Sequence, residues 1–170
     1  MTVFRCRICT HPTLAAAPPS RCPACGAGPQ WLPAAVAFQP AAGFDLAGKL
    51  RDDFERLQLL LIDNSRFFRA AAKVADEEEG RALLQALTGV AVTQASVVSG
   101  LLGEALPTLA TEPGDCSPAH RENLAESRQR VEEVLALCQL LCDAAPQGWT
   151  QDVAVALGGA GRDHLELLGS

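Results

Sequence analysis

From about residue 46 onward, apolar residues recur at the three- and four-residue steps of amphipathic helices. Leu50, Phe54, Leu57, Leu61, Phe68, Ala71 and Ala75 form a first stripe whose gap falls at Asn64, and Asp45 is placed to cap a helix starting at Leu46. Asp76-Glu-Glu-Glu-Gly80 closes that helix and opens the next, where negative charge suits a first turn. The second stripe takes Leu84, Leu87, Ala91, Val98 and Leu101, with a polar interruption at Gln94. Residues 103–117, with Pro107, Pro113 and Gly114, predict a long loop, and Ser117-Pro118 supplies a cap and a first-turn proline for a third helix to about Ala145. Its inner side carries Leu124, Val131, Leu135, Cys138 and Cys142, with Arg128, Arg130, Glu132 and Glu133 toward solvent. After Pro146–Thr150 a fourth, shorter stripe includes Val153, Leu157, Ala160, His164 and Leu168. Four such stripes predict a mainly α four-helix bundle, and a loop of about 15 residues reaches about 50 Å when extended, enough to cross from one end to the other between helices 2 and 3.

The first 45 residues have no such period. Phe4-Arg-Cys-Arg-Ile-Cys9 and Cys22-Pro-Ala-Cys-Gly26 are two Cys-x-x-Cys hooks separated by twelve residues. Cys6, Cys9, Cys22 and Cys25 together offer four soft thiolates to one tetrahedral ion, zinc or iron. Pro12, Pro18 and Pro19 keep the intervening stretch a loop, Gly26 suits a tight turn after the second hook, and Thr10 holds that place after the first. Phe4 and Trp31 flank the site. A segment this short builds little core and relies on a metal. The expected organisation is a metal module over residues 1–32, a Pro/Ala-rich linker over 33–45 and the bundle over 46–170. His11, beside the first hook, is expected to face solvent, since four cysteines already complete the ion.

Composition narrows the functions. A formal charge of −6 argues against nucleic acid as the main partner, because phosphate binding needs a basic surface. The start of the chain has no apolar signal segment, and the apolar runs 57–62 and 90–102 are short or interrupted by polar residues, so no membrane span and a cytoplasmic location are expected. In a reducing compartment, paired hooks mean metal more often than disulfides. A mean hydropathy of +0.11, with Leu59, Leu60 and Val92 outside the stripes, predicts a second apolar face and hence a homodimer or a hetero-oligomer.

These features resemble the rubrerythrin family, in the arrangement with a rubredoxin-like module ahead of a ferritin-like bundle. The resemblance is carried by residues 3 to 32, with Ala17-Pro18-Pro19 before the second hook, and by phrases such as Phe67-Phe-Arg-Ala-Ala-Ala-Lys-Val-Ala75 and Glu122-Asn-Leu124. It implies one iron on the four cysteines, passing single electrons between a reductase and a redox partner. The family's di-iron ligands would fall on Leu61 or Ile62, on Gln94 and Val97, on Val131 beside Glu132, and on Gly161 and His164. Only His164 keeps the pattern. Two irons in a buried site require anionic ligands to offset their charge, so no di-iron centre and no catalytic residues are expected. A structural zinc in a scaffold subunit of a larger assembly is the alternative. A divergent peroxide-reducing enzyme would require Asp63, Glu132 and His164 to assemble.

Asn64, Gln94 and His164 fall on inward stripes and are expected to bond one another or a trapped water in a metal-free polar pocket, unless the helices rotate them to the surface. Cys138 and Cys142, one turn apart, are placed for core packing, with a redox pair as the sharper alternative. Cys116 lies in the loop beside His120, a third possible redox thiol.

Overall fold

The apolar stripes close into α1 (Gly48–Val74), α2 (Glu78–Leu102), α3 (His120–Ala144) and α4 (Trp149–Leu167), preceded by a hairpin of β1 (Thr2–Arg5) and β2 (Pro12–Ala15). This computed structural model describes residues 1–39 and 46–169. β1 and β2 pair antiparallel from Thr2 opposite Ala15 to Arg5 opposite Pro12. The fold is a small two-stranded module with a four-cysteine knuckle joined to a four-helix bundle.

The first two helices run antiparallel. Arg51, near the start of α1, donates to the carbonyl of Leu102, the last residue of α2, at 3.3 Å and pairs with Glu104 just beyond it at 2.9 Å. Gly80, at the other end, lies against His120 at the start of α3. Residues 103–119 therefore travel the length of the bundle, as the loop length predicts. Ser65 Oγ donates to the carbonyl of Ala110 at 2.9 Å and the N–H of Gly114 to that of Arg66 at 3.0 Å, so the crossover is fastened to the middle of α1.

The predicted inward positions of α1 and α2 are buried, Leu50 excepted, which is half-buried. Phe54, Leu57 and Leu61 pack with Val98, Leu141 and Leu157 in one core cluster, while Phe67, Phe68, Leu84, Leu87 and Val131 fill a second. Each fully buried Leu or Phe contributes about 1.5–3 kcal/mol. Inside the bundle Gln58 Nε2 donates to Ser99 Oγ at 2.8 Å.

Several expectations need correction. The helix predicted from Leu46 begins at Gly48 with Ala47 as its N-cap, and Asp45, expected to cap it, lies outside the described residues. Ser117 is not the N-cap of α3: Ala119 is, with Ser117 Oγ accepting its N–H at 3.1 Å. The inner face of α3 is turned about one residue from the predicted one. Asn123, Ser127, Val134 and Leu141 are buried where Leu124, Leu135 and Cys142 were expected, and these three are half-buried. The cause is Asn123, whose amide accepts the N–H of Ser117 at 2.9 Å and donates to its carbonyl at 2.8 Å, fixing the loop to the helix. Residues 33–38, the first part of the expected linker, lie against the hairpin, a placement that leaves the expected boundaries as they were: Arg5 N–H bonds the carbonyl of Pro33 at 3.0 Å, and Phe4 bridges Ala34. By length and composition alone one 18-residue window of α2 is apolar enough to cross a membrane despite its polar interruptions, and 44% of that window is buried within the fold, as in the core helix of a bundle.

Candidate metal centre

The hairpin sets the first hook and the loop after β2 sets the second. Each hook closes on itself in the same way: the N–H of Thr10 bonds the carbonyl of Cys6 at 2.9 Å, and that of Gly26 bonds the carbonyl of Cys22 at 2.9 Å. Both closing residues take the left-handed conformation, Thr10 at φ 64° and Gly26 at φ 77°. Glycine adopts it freely, whereas a β-branched residue is strained there. Thr10 is exposed, so Thr10→Gly relieves strain and removes no packing. The exchange is expected to stabilise the loaded protein by up to about 1 kcal/mol. An unchanged or lowered denaturation midpoint would contradict this account of the turn.

The turns bring four sulfurs together. Cys6 Sγ lies 3.7 Å from Cys25 Sγ, Cys9 Sγ lies 3.6 Å from Cys22 Sγ, and all four sit within 4.8 Å of one another. A tetrahedral ion with bonds of about 2.3 Å places neighbouring sulfurs about 3.8 Å apart, so the quartet already has the dimensions of a four-thiolate site. Backbone N–H groups point at the sulfurs: that of Cys9 at Cys6, that of Cys25 at Cys22 and that of His11 at Cys9. They disperse negative charge from the sulfurs and thereby favour thiolate. Hydrogen bonding from Cys25, then Cys6 and Cys9, holds Cys22 far below its usual range, while the same contact with Cys22 pushes Cys25 far above. Four thiols at this distance ionise together only around a cation. The residues fit a single soft divalent or trivalent metal ion.

Three of the four sulfur-bearing residues are buried, and Cys9 alone is half-exposed. It opens onto a cleft of about 350 Å³ shared by Arg7, Thr10, Val97 and Trp149. Phe4 is buried and Trp31 packs against the same core that holds Cys6, Cys22 and Cys25. His11 is exposed, as expected.

The module is seated on α2 and α4. Cys6, Ile8, Cys22, Cys25, Ala27 and Leu32 belong to one core cluster with Phe54, Val98 and Leu157 of the bundle. Arg21 forks onto Asp163, with one bond of 2.8 Å, and Gly26 approaches α4 so closely that a Cβ there would lie 2.7 Å from that of Ala160. Gln94 reaches across from α2 and donates to the carbonyl of Cys25 at 3.0 Å.

That bond explains one of the polar interruptions. Asn64, Gln94 and His164 do line one cavity, together with Leu61, Val131 and Gly161, and its volume of about 20 Å³ holds about one water. They do not bond one another. Gln94 turns to the metal module, Asn64 meets the carbonyl of Arg130 at 3.5 Å and its guanidinium at 3.4 Å, and burial, partly opposed by Asp163, lowers the His164 pKa. Gln94→Leu keeps the volume and removes the bond to Cys25. A loss of about tenfold in metal affinity is expected, the usual scale for groups that orient a ligand from behind. Chelator competition at equal protein stability measures it, and unchanged affinity would reduce Gln94 to a packing residue.

The remaining candidates stand apart. Cys138 is buried in the bundle and its thiol is pushed up to about 12 by burial, while burial also raises Cys142 and Cys116. All three are free thiols held protonated at neutral pH. Asp63 pairs with Arg130 and Glu132 with Arg128 on the surface, so neither joins His164. Among the described residues, the four cysteines are the one group of three or more metal-ligating side chains gathered within 4.8 Å. Sequence reading passed over Asn123 and Gln58 because both are polar on stripes judged by apolar spacing. No protein-family model matches the chain, and no curated protein or solved structure matches it either.

Proposed function

We propose that the chain is a single-electron carrier of the rubredoxin-like kind, with one iron on Cys6, Cys9, Cys22 and Cys25 and a bundle that does no redox chemistry of its own. The observation that carries this reading is the asymmetric exposure of the quartet: three buried ligands and one, Cys9, opening onto a cleft. Iron so bound supplies a one-electron couple. Burial of three sulfurs excludes water from the centre, and N–H groups aimed at Cys6, Cys9 and Cys22 stabilise negative charge on sulfur. Cys9 gives an electron a short exit to a protein seated over the cleft. The rubrerythrin-like reading of the bundle is supported by the convergence of Leu61, Gln94, Val131, Gly161 and His164 on one cavity, the positions where that family's metal ligands would fall. The cavity has no carboxylate lining it, and one of its polar residues is committed to the metal module. Docking partners are a reductase and an electron acceptor, and the chain works as a dimer or within a larger complex.

A structural zinc is the second reading, supported by the way Cys6, Cys22 and Cys25 lie inside the core that joins module to bundle. Elemental content and a visible spectrum of protein produced with iron available separate the two. One iron per chain, with thiolate charge-transfer bands that bleach on reduction, is expected. One colourless zinc would overturn electron transfer, and three irons would overturn the inert bundle.

A further inference from the structure

On the outer side of α1 and α2, away from the metal, lies a cleft of about 630 Å³ lined by Arg69, Lys73, Arg81, Gln85, Thr88 and Gly89. The chain carries 14 cationic side chains against 20 acidic ones, yet three cations line this one cleft and no carboxylate does. Arg81 is held in place, donating to Glu78 at 2.7 Å and to the carbonyl of Ala75 at 2.8 Å. Arg69 and Lys73 have no carboxylate within 4.0 Å among the described residues. The Nε of Arg69 is shut off from solvent without a hydrogen-bond partner, so an anion in the cleft would meet the terminal nitrogens of that guanidinium. Gly89 leaves the wall open, since a Cβ there would meet nothing within 4 Å. A cleft of this volume suits a small molecule, and guanidinium groups suit the paired oxygens of phosphate or carboxylate.

The geometry points to this cleft as a binding site for a small polyanion carrying phosphate or carboxylate groups. Arg69 and Arg81 grip the anion from the two helices, Lys73 adds a movable charge at the rim, and the Gln85 amide donates a neutral hydrogen bond. The assignment is independent of which metal the cysteines hold. Calorimetric titration of the full, metal-loaded chain at about 0.15 M salt, where unspecific surface attraction is screened, tests it with inorganic pyrophosphate and with propane-1,2,3-tricarboxylate. Saturable binding of at least one is expected, and the tighter of the two identifies the anion class. Lys73→Gln should weaken it by about tenfold. Gly89→Glu should abolish it, because the new carboxylate neutralises the cleft from within. Its Cβ would meet nothing within 4 Å and it replaces a mid-helix glycine, so its melting temperature should not fall. No heat from either probe at millimolar concentration overturns the assignment. So does binding that survives Gly89→Glu, which would mark chelation or a site elsewhere.

Discussion

Stripping the ion from the four cysteines is expected to unfold residues 1–39 while the four helices stay formed. The module has a hairpin of two four-residue strands, one isolated bridge and a few turn bonds, too little to stand alone in water. Its remaining order comes from the ion and from the seat on α2 and α4. Binding to a four-ligand site of this kind is folding free energy, about 10–16 kcal/mol for small zinc modules near neutral pH. Against that, the bond from Gln94 and the fork of Arg21 on Asp163 contribute little, the latter being partly solvent-exposed. Hydrogen exchange reads the result directly. After chelation, or in Cys22→Ser, the amides of Cys6, Thr10, Cys22 and Gly26 should lose protection, while those of α1 around Phe54–Leu61 and of α3 around Val134–Leu141 keep theirs. Protected hook amides in the metal-free chain would mean that the seat on the bundle, not the ion, holds the module.

How much of this was legible beforehand differs from element to element. The hooks were legible because ligand spacing is a local property: two residues between cysteines fix a turn whatever surrounds it. The stripes of α1 and α2, and that of α4 as far as Ala160, were legible because their inward residues are mostly apolar, while His164 and Leu168 are half-buried. α3 was misjudged by about one residue because Asn123 and Ser127, both fully buried, look like surface positions until Ser117 is seen bonded to the asparagine. The start of α3 shifted for a related reason. Capping signals name a residue type, while the loop's own bonds decide which residue stands at the boundary. Gln94 shows the limit most clearly: its spacing marked an inward polar group, yet nothing in the order of residues says that its partner is the carbonyl of Cys25, 69 positions earlier. The cationic cleft was illegible for the same reason, since Arg69 and Arg81 meet only when α1 and α2 fold back on each other.

Gly26 carries the second large effect, because two separate constraints meet on it. Its φ of +77° closes the second hook, and its missing Cβ lets the hook sit on α4, where that atom would come within 2.7 Å of the Cβ of Ala160. Gly26→Ala therefore adds a left-handed alanine, about 1–2 kcal/mol, and an overpacked contact between two backbone-fixed methyl groups, about 1–3 kcal/mol. A combined loss of about 2–5 kcal/mol is expected, with metal content retained because no ligand changes. The two contributions separate by a second substitution. Ala160→Gly alone should cost about 1 kcal/mol as a glycine within a helix. In the double variant it should instead restore the steric share, a favourable coupling of about 1–3 kcal/mol, and leave the conformational share in place. Denaturant melts of the four proteins give the coupling. Strict additivity would mean that the hook does not touch α4 at Ala160, and with that contact would go the close seat that lets Gln94 reach Cys25.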